Sequence, residues 1–165
     1  PRGIDLDLFN PKNIDLDFIE NFKKEYNLQN KFIVSSVGRI TQLKDYETFI
    51  KAVQLVKKEK EDIIALIVGG VRSDKEDYLG SLKTLIQNLN LQDNIIFSGS
   101  QSKIAEIYAL SDCVVSSSKK PESFGRAVAE AIALNTPVVA TNHGGVKDII
   151  IENEMRKRIR NKIYK

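Results

Sequence analysis

Phe32-Ile33-Val34-Ser35-Ser36-Val37-Gly38-Arg39-Ile40-Thr41-Gln42-Leu43-Lys44-Asp45-Tyr46 passes from a short β-rich apolar run, through a glycine turn, into a segment of helical period. The same order recurs down the chain, and short buried strands alternating with longer amphipathic segments are the mark of βαβ units and a parallel sheet. The strands are predicted at Phe32–Val37, Ile63–Val68, Asn94–Ser98, Asp112–Ser116 and Pro137–Thr141. Between them, Asp45–Lys58 places Tyr46, Phe49, Ile50, Val53 and Val56 near one face of a helix, with Asp45 where an N-cap belongs. Asp74–Leu89 repeats the pattern, Lys103–Leu110 is a shorter amphipathic piece, and Ser123–Leu134 is a helix rich in alanine. The fold class is α/β, a parallel sheet flanked by helices. Right-handed crossovers put every strand's carboxyl end on one edge, where open α/β sheets bind ligands.

Outward from this frame, Leu16–Tyr26 reads as a short helix leading into the first strand, and Pro1–Pro11 as loop. The 165 residues, 42% hydrophobic and 28% charged with signs mixed, suit one folded domain. No apolar run approaches the roughly 18 residues of a membrane span, and a cytoplasmic location is expected. The chain opens on Pro1 rather than methionine, so a piece of something longer is expected. With one cysteine, Cys113, and one histidine, His143, neither an intramolecular disulfide nor a Cys/His zinc site is expected. Cys113, inside an apolar strand, reads as a core residue. The net charge of +3 is uneven. Residues 151–165 hold six Lys and Arg against two Glu, leaving 19 against 20, or −1, for the first 150. A near-neutral body gives nucleic-acid binding little support. The domain division expected is 1–153 for the globular unit, with its leading linker and helix, and 154–165 for a basic tail.

Two segments carry chemistry. In Gly38-Arg39-Ile40-Thr41-Gln42-Leu43-Lys44 the glycine lets backbone approach a ligand, the guanidinium can grip two oxygens, and the ammonium adds a second positive charge. That combination suits a diphosphate; the alternative is a pair of solvated loop cations. In Pro121-Glu122-Ser123-Phe124-Gly125-Arg126-Ala127-Val128-Ala129-Glu130 two glutamates eight apart bracket the start of a helix, where the amides of Phe124 and Gly125 can meet an anion. Ionised carboxylates accept from the vicinal hydroxyls of sugars and ribose. A nucleotide sugar, with a hydroxylated ring on each side of a diphosphate, satisfies both segments. The plainer readings are a surface helix residue for Glu130 and a capping loop acid for Glu122.

Taken with Pro137-Val138-Val139-Ala140-Thr141 and Gly144-Gly145, these segments resemble the retaining glycosyltransferases built from two facing Rossmann-like domains, the GT-B group, and within it the group-1 type often designated family 4. The resemblance runs from about Pro1 to Asn153 and implies a Rossmann-like carboxyl-terminal half that binds the donor. It implies that Arg39 and Lys44 bind the donor diphosphate and stabilise the leaving nucleotide, and that Glu122 contacts the donor sugar. Gly38, Ser123, Phe124 and Gly125 would border sugar or phosphate, and Glu130 would hold the ribose hydroxyls. The stretch Ser98–Ser102, with Gly99, would border the base. No metal or other cofactor is required; the donor is a nucleoside-diphosphate sugar, UDP or GDP. The implied partner is an amino-terminal acceptor-binding domain, and the acceptor a cell-envelope glycan or lipid; the basic tail reads as a solvated helix, the alternative being peripheral contact at the inner face of the membrane.

There are departures. Arg126 stands where the family often has an aliphatic residue, and reads as an anion contact or a solvated side chain. His143 could donate to phosphate or sugar, or lie on the surface. Asp148 follows the Gly-Gly pair where a Glu is usual. The basic tail does not resemble the family's continuation. Competing readings are a non-catalytic nucleotide-binding fragment of a split or truncated glycosyltransferase, and half of a sugar-nucleotide epimerase on the same scaffold. A P-loop nucleotidase is disfavoured by the lack of a Gly-x4-Gly-Lys-Ser/Thr segment.

Overall fold

The computed structural model describes residues 3–121, 125–142 and 144–150. Five strands, β1 (Phe32–Val37), β2 (Ile63–Val68), β3 (Ile95–Gly99), β4 (Cys113–Ser116) and β5 (Val138–Ala140), form one parallel sheet in the order β3-β2-β1-β4-β5. The helices are α1 (Leu16–Glu25), α2 (Tyr46–Lys57), α3 (Glu76–Asn88), α4 (Ile104–Leu110) and α5 (Arg126–Ala133). The first two strands fall where their apolar runs begin and end, because a strand covered on both faces has no polar alternation to blur its limits.

Successive side chains of those strands serve opposite cores. Phe32, Val34, Ile63, Ala65 and Ile67 pack with Tyr46, Phe49 and Ile50 of α2 and with Tyr78, Leu82 and Ile86 of α3. Ile33, Ile64, Leu66 and Val68 face Ile19 and Phe22 of α1 and Ile107 and Leu110 of α4. A third cluster joins Val114 and Val138 to Tyr108, Val128 and Ala131, seating α5 over β4 and β5. Cys113 is buried on the α2 side. Phe9 belongs to the third cluster, its ring centroid 6.2 Å from that of Tyr108, so the opening loop supplies core as well as connection.

The remaining strands differ from their expected limits by one residue, β4 at its start and β3 and β5 at both ends. Asn94 precedes β3, its amide donating to the Ile63 carbonyl at 2.9 Å. Asp112 precedes β4, its carboxylate accepting from the Ile33 amide at 2.9 Å. Pro137 and Thr141 flank β5, yet the Pro137 carbonyl accepts from Val114 (2.8 Å) and the Thr141 amide donates to Ser116 (3.0 Å). Side chains and stray backbone bonds thus continue the pairing past the regular ladder. Asp74 sits in a 3-10 turn, Ser73–Lys75, ahead of α3. Of the helix expected over Ser123–Leu134, residues 123 and 124 lie outside the described residues.

α1, α3 and α5 stop in one way. Asn27, Asn90 and Asn135 take left-handed backbone, φ 53°, 53° and 59°. The next amides, of Leu28, Leu91 and Thr136, reach back to the carbonyls of Lys23, Ile86 and Ala131 at 2.8, 3.0 and 3.0 Å. This closure satisfies carbonyls that a helix end otherwise leaves unpaired, and each turn leads toward a strand, β1, β3 or β5.

Candidate functional site

The chain builds β1, β2 and β3 toward one side and then returns to place β4 and β5 on the other, so the strand order reverses between β1 and β4. Ligands of open α/β sheets bind at such a reversal. Two loops meet there. The loop after β1 is held by the Gly38 amide on the Val68 carbonyl (2.9 Å), the Ile40 amide on the Gly70 carbonyl (3.0 Å) and the Tyr46 hydroxyl on the Gly38 carbonyl (2.7 Å). A Cβ on Gly69 would stand 2.0 Å from the Gly38 carbonyl oxygen, which shows how closely the β1 and β2 loops approach. A Cβ on Gly38 would stand 2.8 Å from Lys44 Cε; the lysine stem folds back over the glycine.

Gln42–Lys44 forms a 3-10 turn, and Asp45, at φ 52°, caps α2 by accepting from the Thr48 amide (3.4 Å) and hydroxyl (2.8 Å). The loop after β4 is fastened to this turn. The Ser117 hydroxyl lies 2.8 Å from the Lys44 carbonyl and 3.0 Å from that of Asp45, the Lys119 amide donates to Leu43 at 2.9 Å, and Lys119 Nζ pairs with Asp45 Oδ1 at 3.3 Å. Burial pushes the Asp45 carboxyl up, but the hydrogen bonds from Thr48 and Lys119 outweigh it and hold the group below its ordinary value.

Glu130, on α5, is 6% exposed. Tyr108 donates its hydroxyl to Glu130 Oε2 at 3.1 Å, and Arg126, one turn earlier, reaches Oε1 at 3.3 Å. Glu130 is therefore a buried, paired carboxylate, not a surface helix residue. The Arg126 side chain is exposed, and its guanidinium is paired with Glu130. Gly125, at φ 65°, precedes α5, and a Cβ there would meet Val146 Cγ2 at 2.9 Å.

Lys44, Ser102, Tyr108, Arg126 and Glu130, with Leu8, line a cleft of about 420 Å³. It brings together the carboxylate and one cation of α5 with a second cation from the loop after β1. Arg39 is exposed on the adjoining loop and does not line the cleft; neither does Gly99, which ends β3 at φ 69° in open space. Glu122, Ser123, Phe124 and His143 lie outside the described residues, as do residues 151–165 with the basic tail. A larger hollow, about 640 Å³, lies by Phe32, Val56 and Lys60 at the opposite edge. It lies at the amino end of β1, away from the strands' carboxyl edge, and we place the candidate site in the smaller cleft. Sequence reasoning missed Tyr108, which reads as one more apolar position on α4, and Phe9 behind it. Nothing in the local sequence marks either.

The sequence matches the family of glycosyl transferases group 1 over residues 17–161. The chain belongs to that family. Mannosylfructose-phosphate synthase of Agrobacterium fabrum is 33% identical over 129 residues, covering 75% of this chain and 28% of that protein. Alpha-monoglucosyldiacylglycerol synthase of Streptococcus pneumoniae is 31% identical over 153 residues, 91% of this chain and 33% of that one. The crystal structure of Anabaena HepE in complex with UDP and glucose superposes with a TM-score of 0.85 at 25% identity, over 98% of this chain and 46% of that one. The chain thus spans about a third of the length of these curated relatives and under half of that structure. This glycosyl transferases group 1 domain has the Rossmann-like parallel sheet of GT-B glycosyltransferases. Among the described residues no helix is long and apolar enough to cross a membrane.

Proposed function

We propose that this chain, over residues 1–153, is the donor-binding domain of a retaining glycosyltransferase of the family 4 type. It would work with an amino-terminal acceptor-binding domain to move a hexose from a nucleoside-diphosphate sugar to an acceptor. The observation that carries the reading is the cleft at the strand-order reversal, where the buried Glu130 carboxylate shares a wall with Lys44 and Arg126. Departure of the nucleoside diphosphate breaks the bond between the anomeric carbon and the phosphate oxygen and concentrates negative charge on the leaving group. Lys44, with Arg39 on the same loop, stabilises that charge, and cations fixed in advance act most strongly where charge develops. Glu130 accepts from the ribose hydroxyls. Glu122 accepts from the donor sugar, and Ser123, Phe124, Gly125 and His143 border it. Gly38 gives the diphosphate close access to backbone, and Gly99 adjoins the base.

UDP or GDP is the nucleotide; the UDP and glucose held by HepE support the first. The lipid-glycan name of the pneumococcal relative supports a cell-envelope glycan or lipid acceptor, with the basic tail 154–165 meeting the inner face of the membrane. No metal enters the scheme, since the charge is met by protein cations.

Isothermal titration of the chain with UDP, GDP and ADP tests this. One nucleotide binds in preference, and Arg39→Ala and Glu130→Ala each weaken it about tenfold, as loss of a hydrogen bond to a charged group does. Failure of all three to bind at millimolar concentration refutes the reading.

A further inference from the structure

A carboxylate withdrawn from water needs donors on both oxygens, and the two donors to Glu130 are held differently. Tyr108 is 1% exposed. Its ring packs on Phe9, and its backbone carbonyl accepts the Thr136 hydroxyl at 2.8 Å. Packing on both sides therefore fixes where its hydroxyl meets Oε2. The Arg126 side chain is 75% exposed and reaches Oε1 on a long, rotatable stem. An oxygen of a carboxylate has two lone-pair directions, so Oε1 can accept from a ligand in the cleft as well as from Arg126. A buried carboxylate held by one oxygen keeps its plane, and the plane decides whether both hydroxyls of a vicinal diol can be met.

We propose that Tyr108 is a positioning residue, fixing Glu130 through Oε2 so that Oε1 is presented to the ribose diol of the nucleotide. The inference rests on the reading of Glu130 as the ribose contact, and deepens it: recognition of a ribonucleotide is shared between α5, which carries the acceptor, and α4, which aims it. Phe9 belongs to the same arrangement, bracing the Tyr108 ring from a segment 99 residues away in the chain.

The test is a ratio of affinities. UDP and GDP, each beside its 2′,3′-dideoxy counterpart, are titrated against the 165-residue chain, Tyr108→Phe, Glu130→Ala, Glu130→Gln and the double variant Tyr108→Phe/Glu130→Gln. Tyr108→Phe keeps the ring against Phe9 and removes only the hydroxyl. The unaltered chain is expected to prefer the ribonucleotide by about tenfold or more, and Tyr108→Phe to reduce that preference to about threefold or less, with the dideoxy affinity unchanged. In the double variant Tyr108→Phe takes nothing further from the ratio left by Glu130→Gln, since residues acting through one contact are not additive. A general structural role would lower both affinities together and leave the ratio intact, and that result overturns the proposal. A ratio lost in Glu130→Ala but retained in Tyr108→Phe overturns it too, while the ribose reading of Glu130 stands. A ratio retained in both, or no nucleotide bound at all, overturns both.

Discussion

Adding one methyl group at Gly69 and one at Gly80 should move stability in opposite directions, and the structure fixes the signs. At Gly69 a Cβ would stand 2.0 Å from the Gly38 carbonyl oxygen, 2.7 Å from its carbon and 3.3 Å from the Arg39 amide nitrogen. Ordinary contact begins near 3.4 Å, and backbone on both sides cannot swing aside as a side-chain tip can. The β1 and β2 loops must separate by more than about 1 Å, straining the Gly38–Val68, Ile40–Gly70 and Gly69–Gly99 hydrogen bonds. Overpacking of this kind costs about 1–3 kcal/mol, and each strained bond adds up to about 1 kcal/mol. We take about 3 kcal/mol for Gly69→Ala, which lowers Tm by about 6–12 °C in a chain of this size. Gly80, exposed within α3, has nothing within 4 Å of its Cβ position. Gly80→Ala should add about 0.5–1 kcal/mol by restricting the unfolded chain and favouring helix, raising Tm by about 1–4 °C. Thermal unfolding followed by circular dichroism measures both. Equal shifts, or a Gly69→Ala midpoint within about 2 °C of the parent, would show that the loops are not in the contact described. The same displacement moves the Gly38–Lys44 turn, so nucleotide affinity should fall in Gly69→Ala and hold in Gly80→Ala.

Acid is the second perturbation. Asp45 has its folded pKa held below its ordinary 3.8, so its contribution to stability is fully present above that value and is lost as pH falls through the lower folded value. In Asp45→Asn the stability difference between pH 6 and pH 3 should therefore be smaller than in the parent, as read from urea midpoints; an equal or larger difference refutes the assignment. Third, Asn90→Ala puts an alanine at φ 53° without the side-chain amide that eases left-handed geometry. It should cost about 1 kcal/mol, while Asn90→Gly is neutral or stabilising. Paired denaturant titrations decide it, and a neutral Asn90→Ala would contradict the turn geometry.

β1 and β2 are readable to the residue because both faces are covered and apolar residues mark their ends, Phe32 and Val37, Ile63 and Val68, with Ser35 and Ser36 buried inside β1. β3, β4 and β5 drift because Asn94, Asp112 and Thr141 extend the pairing with polar groups that have no strand signature in sequence. Asp45 as the cap of α2 is legible from residue type and position. The cleft is legible in part: Lys44 and Glu130 are recognisable through their spacing to Gly38 and Glu122, and the sheet then places them on one wall. Arg126 and Glu130 are four apart, a helical spacing that allows their pairing, but an alanine-rich helix hides the fact that Glu130 is buried. Tyr108 is not legible at all, since its hydroxyl meets Glu130 across 22 residues of chain and nothing local distinguishes it from its apolar neighbours. Phe9 is hidden for the same reason, its partner lying on another helix.

Three of the five strands are entered through a turn closed by backbone bonds around a left-handed asparagine, at Asn27, Asn90 and Asn135. Those turns lie at the rim away from the cleft, so the domain can be treated as a chassis with exchangeable fittings. Variation aimed at a different ligand belongs at Arg39, in residues 41–44 and in 119–121, on a frame that keeps Gly38, Ile40, Gly69 and the three asparagines. Recoding those segments leaves the order and spacing of the strands to the rest of the chain.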